Sequence, residues 1–319
     1  MLTNIILLLI GLLLVIFGAN WLVDGASAIA RKLHISEFVI GLTIVGFGTS
    51  CPELVVSVTG AVNGLSDISI GNVLGSNIFN TLLILGLTAV VMPIGITRTN
   101  KLVDIPVTLL ATFLLVFCGM SNTLFGLGSA DCLSRVEGIV FLVLFAVYIF
   151  YCFRSDSGSQ EPEDPAKEYK TGVAILLTLA GLAGLLLGGR WFVHSAVEVA
   201  HRLGVSDKFI AITLLAGGTS LPELAACVIA AAKKKGQLAL GNILGSNLFN
   251  ILLILGISST INPVSFSNIN LVDVFALVLS MVMVWLSSYT FKKDKIDRWE
   301  GAIFLAVFAA YYVWLFIKL

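Results

Sequence analysis

Residues 71–86 read GNVLGSNIFNTLLILG, and residues 241–256 read GNILGSNLFNILLILG. Thirteen of the sixteen positions agree at a constant shift of 170. The same shift aligns Thr49-Ser50-Cys51-Pro52-Glu53 with Thr219-Ser220-Leu221-Pro222-Glu223, and it pairs Trp21 with Trp191, Ser36 with Ser206 and Pro93 with Pro263. Self-similarity at a fixed shift governs how the rest of a chain is read. Here it makes the protein two copies of one unit.

The units are rich in apolar residues. The chain has 319 residues, of which 58% are hydrophobic and 12% charged, against roughly 25% charged in a soluble domain. The net charge is zero, so no basic surface suits a nucleic acid. The five cysteines are odd in number and have no paired spacing, which suggests neither a disulfide framework nor a zinc site. The first apolar run reaches Asp24 without a basic start or a small-residue cleavage pattern, and reads as a first membrane helix.

A helix that crosses the hydrocarbon core needs about 20 mostly apolar residues. Cutting at the charges leaves ten such stretches, near 3–23, 38–62, 70–92, 104–122, 134–152, 171–192, 208–231, 239–260, 272–290 and 299–317, the last being the shortest. Backbone hydrogen bonding in lipid permits helices or closed barrels, and runs this uniformly apolar are not barrel strands. Of the lysines and arginines, fourteen fall in odd-numbered connections and five in even ones or the termini. Positive charge marks the cytoplasmic side, so the odd connections are expected to be cytoplasmic. Each copy holds five spans, an odd number, so the second copy enters the membrane from the opposite side, as in many secondary transporters. The expected fold is an all-α membrane protein in the cell membrane. Its ten transmembrane helices form two inverted five-helix repeats, with both termini extracellular or periplasmic. The first half is 1–152 with its repeat motif at about 36–92, and the second is 171–319 with its motif at about 206–262. The polar segment 153–170 is a cytoplasmic linker between them.

Between Glu37 and Asp67 the only charged residue is Glu53, and between Lys208 and Lys233 it is Glu223. A charge at membrane depth costs about 2.5–3.5 kcal/mol or more, and such residues are functional by default. Thr49 and Ser50 precede Glu53 by four and three residues, which on a helix puts their oxygens on its face. Pro52 lacks an amide hydrogen, so the Gly48 carbonyl loses its helical partner, and Gly46 and Gly48 weaken the same turn. Thr219, Ser220, Pro222 and Glu223 repeat the arrangement. A broken helix presenting carboxylate, hydroxyl and carbonyl oxygens suits a hard cation. Gly71 and Gly75, like Gly241 and Gly245, are spaced for close helix contact. Packing does not explain Ser76 with Asn80, or Ser246 with Asn250, which stand four apart in apolar runs as further oxygen donors. The histidines lie near loops, the acidic linker lacks calcium-loop spacing, and Trp21 and Trp191 read as interfacial anchors.

The pattern GxGTSxPE followed by GNxxGSNxFN, present twice in order, resembles the cation/calcium antiporter superfamily, and most of all its prokaryotic sodium/calcium exchangers. The resemblance covers nearly the whole chain. It implies that Glu53 and Glu223 bind Ca2+ and are shared with Na+, and that Thr49 and Thr219 lend oxygens to the Ca2+ site. It implies flanking Na+ sites at Ser50, Ser220, Ser76 and Ser246, and backbone carbonyls at Gly46 and Ala216. It also implies that spans one and six, long and tilted, slide across the remaining bundle. Asn80 and Asn250 are both amides where many relatives carry one Asp, which argues against K+ co-transport. Phe47 stands where the second copy has Gly217, and Cys51 replaces the common Leu. The short linker holds no large calcium-binding regulatory domain.

The function expected is antiport of Na+ against Ca2+ by alternating access, with lipid and the two ions as the only partners, no cofactor and a single chain sufficing. A Ca2+/H+ antiporter of the same superfamily is the nearest rival, although its acid follows a GN pair. A cation channel is more distant, since a single-chain inverted repeat favours alternating access over a pore. No HExxH or GxSxG motif points to an enzyme.

Overall fold

Two helices of 32 residues, Leu2–Leu33 and Thr171–Arg202, lie along each other for most of their length in the computed structural model. The structure describes residues 2–126, 130–155, 169–203, 217–267, 269–290 and 294–318. Both helices outrun the expected spans 3–23 and 171–192, because the charges taken as span ends do not end them. Asp24 sits inside the first helix, held by Lys233 at 2.7 Å. With both side chains partly exposed, that pair is worth no more than about 1 kcal/mol. Asp24→Asn is therefore expected to shift the thermal midpoint by only a degree or two in a melting experiment, since about 1 kcal/mol moves a chain of 150–250 residues by roughly 2–4 °C and longer ones by less.

Among the described residues, seven helices are long and apolar enough to cross a membrane: the two above, Ser66–Val91, Asn100–Gly119, Arg135–Ser155, Gly236–Ile261 and Arg298–Lys318. A bent pair, Glu37–Thr49 and Cys51–Val62 meeting at 52°, makes an eighth if it is taken as one broken span. Leu221–Ala232 and Leu271–Ser287 are shorter apolar helices. The last helix, expected to be the shortest span, has 21 residues, more than the 17 of Leu271–Ser287. The first part of the expected span 208–231 lies outside the described residues, as does most of the linker.

The layering follows the sequence. The most apolar part of Gly236–Ile261 is 94% buried and that of Ser66–Val91 72%, against 28% for the first helix and 17% for the last. The two copies of the GNxxGSNxFN motif are thus central. Outside them, Leu13, Phe17, Leu176, Leu179, Val143 and Phe150 turn outward, large apolar side chains that water does not favour and lipid does. Trp21 and Trp191 are both partly exposed.

Two antiparallel two-residue strand pairs qualify the all-α expectation. Ile94–Gly95 pairs with Lys295–Ile296, and Cys132–Leu133 pairs with Val264–Ser265. They clip the third connection to the ninth and the fourth to the eighth. Lys101 meets Asp294 at 3.2 Å across the same third and ninth connections, and Lys235 meets Glu37 at 2.7 Å, joining the seventh to the first.

Candidate cation site

The chain breaks at Ser50 (φ −83°, ψ 7°) and again at Ser220 (φ −88°, ψ 7°). Each break is followed by a new helix with proline as its second residue and glutamate as its third. Proline is at home in the first turn of a helix, where no amide hydrogen is missed. Pro52 and Pro222 therefore start helices, and the broken helix expected around Pro52 is present, with its break at Ser50. The consequence is electrostatic. Glu53 and Glu223 lie where backbone N–H groups are unpaired and the helix dipole is positive, which favours a carboxylate.

Both carboxyls are about 1% exposed, and each is held by the serine of the other copy. Ser220 Oγ donates to Glu53 Oε1 at 3.2 Å, and Ser50 Oγ to Glu223 Oε1 at 3.0 Å. Ser76 Oγ reaches Glu53 Oε1 at 3.5 Å, while Ser50 Oγ stands 3.0 Å from Ser246 Oγ. Thr219, half-buried, lies beside Glu53, and buried Thr49 beside Glu223. The Thr49 hydroxyl donates to Val45 O at 3.0 Å and sits 3.2 Å from Asn242 Oδ1.

Asn80 and Asn250 enter by a route that regular helical spacing did not foresee. Each is the second residue of a π-helical turn, Phe79–Ile84 and Phe249–Ile254, a wide turn common at functional sites. Asn80 Nδ2 donates to Asn247 Oδ1 at 3.3 Å, and Asn250 Nδ2 to Asn77 Oδ1 at 2.9 Å. Among the described residues, eight buried side-chain oxygens have no hydrogen-bond partner. Four of them are Glu53 Oε2, Glu223 Oε2, Asn80 Oδ1 and Asn250 Oδ1, two pairs related by the shift of 170. A buried oxygen left unpaired costs about 1–3 kcal/mol. Four at repeat-related positions are what a cation would satisfy.

Not every residue singled out from the sequence lands alike. The Gly46 carbonyl accepts the Ser50 N–H at 3.1 Å and the Thr49 hydroxyl at 3.4 Å, so it is engaged in this arrangement. Ala216 lies outside the described residues. A Cβ on Gly241 or Gly245 would stand 2.2 Å from Phe38 O or 2.4 Å from Leu42 O, as close contact demands. Gly71 and Gly75 meet nothing within 4 Å among the described residues. Their counterpart contacts would fall at 208–212, outside those residues. The Cys51 thiol donates back to Phe47 O at 3.3 Å and joins no ligand set.

Sequence reading missed the framework asparagines. Asn72 Nδ2 binds Ser57 Oγ at 2.9 Å and the Glu53 carbonyl at 3.2 Å, while Asn242 Nδ2 binds Cys227 Sγ at 3.1 Å. Asn77 and Asn247 hold the site amides. The signal was available, because all four sit at identical positions of the repeated motif. A shallow surface indentation lined by Phe47, Ser50, Leu54, Phe249, Leu253 and Ile254 borders the site at Ser50.

The donor set is two carboxylates, two amide oxygens and a group of hydroxyls, all hard oxygens, with no cluster of three His, Cys, Asp or Glu side chains among the described residues. Comparison with known proteins agrees with that chemistry. The family model for sodium/calcium exchanger protein matches residues 3–154 and 173–317. The sodium/calcium exchanger MaX1 of Methanosarcina acetivorans is 32% identical over 98% of both chains. The inner membrane protein YrbG of Escherichia coli is 34% identical over 81% of this chain and 79% of its own. A solved structure of the sodium-calcium exchanger NCX_Mj, soaked with 10 mM Na+ and no Ca2+, superposes with a TM-score of 0.83 at 34% identity, over 99% of this chain and 98% of that one. With family and fold matched from near the start to near the end, this chain is a multi-pass integral membrane protein and belongs to the sodium/calcium exchanger family.

Proposed function

We propose that this chain exchanges Na+ for Ca2+ across the cell membrane by alternating access, at a site built from Glu53 and Glu223. The observation that carries the reading is the set of four unpartnered buried oxygens on Glu53, Glu223, Asn80 and Asn250. Two carboxylates offer a charge of −2, which one Ca2+ balances. In the low-dielectric interior two unbalanced carboxylates repel each other, so the empty site is costly. Na+ ions bind the same cage, with the hydroxyls of Ser50, Ser220, Ser76 and Ser246 and of Thr49 and Thr219 completing their shells. The Gly46 carbonyl becomes available when the Thr49 hydroxyl turns away, and Ala216 is its counterpart. Because Ca2+ and Na+ draw on the same two carboxylates, both cannot fill the centre together. That competition, with a cage reached from one side at a time, couples the two fluxes.

The topology we favour has ten transmembrane helices in two inverted five-helix repeats. The seven long helices, the broken span and the two shorter apolar helices together supply ten segments. The clips between connections support the parity this requires, since the third joins the ninth and the fourth joins the eighth. Odd meets odd and even meets even, as loops on one side of a membrane must. The excess of Lys and Arg in the odd connections puts those in the cytoplasm and both termini outside. The halves are 1–152 and 171–319, joined by the linker 153–170. One chain supplies both copies of the site, so a monomer is sufficient. MaX1 and NCX_Mj are named sodium/calcium exchangers, and nothing in the site favours the Ca2+/H+ reading.

Uptake of 45Ca2+ into proteoliposomes tests this. Vesicles loaded with Na+ and diluted into Na+-free buffer are expected to accumulate Ca2+, with no uptake when they are loaded with K+ or given only a pH gradient. Equal uptake under a pH gradient alone would keep the site and discard Na+ as the coupling ion.

A further inference from the structure

An amide has a donor end and an acceptor end, and only the acceptor end helps a cation. Something must turn the oxygens of Asn80 and Asn250 into the site and keep the N–H groups out. For Asn80, the bonds form a chain with one direction. Its Nδ2 donates to Asn247 Oδ1 at 3.3 Å, and Asn247 Nδ2 donates to Thr81 Oγ1 at 2.8 Å. The Thr81 hydroxyl donates to Met281 Sδ at 3.8 Å, which Asn247 Nδ2 also approaches at 3.7 Å. All four residues are buried, so no water substitutes for a partner.

The last group sets the direction. A hydroxyl or an amide can face either way, but a thioether sulfur carries no hydrogen and only accepts. With the Thr81 hydrogen drawn to sulfur, Thr81 oxygen is left to accept from Asn247. Asn247 then shows its oxygen to Asn80, and Asn80 shows its own oxygen to the site. Reversing any one bond would set N–H against N–H unless the whole chain turned over, and then Asn80 would aim N–H groups at the cation. The other copy solves the problem differently. Asn250 Nδ2 donates to Asn77 Oδ1 at 2.9 Å, and Asn77 Nδ2 to the Asn247 backbone carbonyl at 3.4 Å, which is also acceptor-only. The thioether arm has no repeat counterpart, since position 251 is Ile and position 111 is Ala.

We propose that Met281, acting through Thr81 and Asn247, is a positioning residue that holds the Asn80 carbonyl oxygen toward the transported cation. This rests on the reading of Asn80 as a cation ligand given under Proposed function.

The test is a mutant cycle read as the apparent KM for Ca2+ in Na+-driven 45Ca2+ uptake. Met281→Leu nearly conserves volume, so packing is kept, while the acceptor is lost and the Thr81 hydroxyl is freed to donate to Asn247 instead. It is expected to raise the KM for Ca2+ about fivefold, the scale of one oriented hydrogen-bonding group, with maximal rate nearly unchanged. In an Asn250→Ala background the same rise is expected. In an Asn80→Ala background no further rise is expected, because nothing remains to orient. Thr81→Val should reproduce the effect and Thr81→Ser restore the parent KM, which keeps the test valid should Met281→Leu fold poorly by gel filtration and melting. An unchanged KM in folded Met281→Leu and Thr81→Val, or an equal rise in the Asn80→Ala background, overturns the proposal. If Asn80→Ala alone leaves the KM unchanged, the reading of Asn80 as a ligand fails with it. If Asn80→Ala raises the KM and Met281→Leu does not, only the relay fails.

Discussion

Glu53→Gln and Glu223→Gln are each expected to abolish Na+-driven Ca2+ uptake while leaving the protein folded. Either substitution leaves a buried Ca2+ with one balancing carboxylate instead of two. Removing one partner of a buried charge pair costs about 3–5 kcal/mol, or roughly a hundredfold or more in affinity. Stability without ions is expected to move the other way. Glutamine keeps the shape and hydrogen-bonding reach of glutamate, and it removes a charge buried beside another carboxyl. Melting in ion-free detergent solution should therefore give a midpoint equal to or above the parent. Added Ca2+ should raise the parent's midpoint, because a ligand that binds only the folded state stabilises it, and should leave the variants' unchanged. A variant that melts lower without ions, yet still responds to Ca2+, would place the glutamates in the scaffold rather than the site.

Gly18→Leu is expected to be the most damaging substitution outside the site. The helices Leu2–Leu33 and Thr171–Arg202 meet through glycines at seven-residue spacing, Gly11, Gly18 and Gly25 on one and Gly181 and Gly188 on the other. A Cβ at Gly18 would stand 2.7 Å from Leu185 N and 2.9 Å from Gly181 O, and one at Gly181 would stand 2.4 Å from Leu22 N. These obstacles are backbone atoms, which cannot swing aside as a side chain can. In lipid, helices associate by such close backbone approach, without the hydrophobic drive available in water. Overpacking a tight contact typically costs 1–3 kcal/mol, and a whole leucine against backbone should cost about 3 kcal/mol or more. Gly172→Leu is the matched control, since nothing described lies within 4 Å of a Cβ there and it should change stability by less than about 0.5 kcal/mol. Melting of the two variants beside the parent checks both. Equal midpoints would mean that the two long helices are not held by glycine contact.

Much of this molecule was legible in its residues, because the strongest constraints were local or repeated. Lone carboxylates in long apolar runs, and the doubling of their surroundings at a shift of 170, led to Glu53, Glu223 and their serine neighbours. What was misread depended on contacts between distant residues. Asp24 looked like the end of a span because its partner, Lys233, is 209 residues away. The broken helix expected around Pro52 is there, but spacing did not show that the turn at Ser50 makes the proline the start of a new helix. The π-helical turns at Asn80 and Asn250 leave no mark in side-chain spacing, since apolar residues continue on both sides. Asn77 and Asn247 stood in the quoted motif, but their part shows only when the two copies face each other. Met281, in a run of Val, Leu and Met, carries no signal until Thr81 is seen beside it.

The most direct test of the central claim is anomalous diffraction from crystals soaked in Sr2+ at low Na+. The account predicts one strong peak bonded to oxygens of both Glu53 and Glu223, at or slightly beyond the roughly 2.3–2.6 Å range of the smaller Ca2+, with Asn80 Oδ1 and Asn250 Oδ1 turned toward it. High Na+ should abolish the peak. A peak that touches neither glutamate, or one that persists in saturating Na+, would contradict the claim that both ions compete for this one cage.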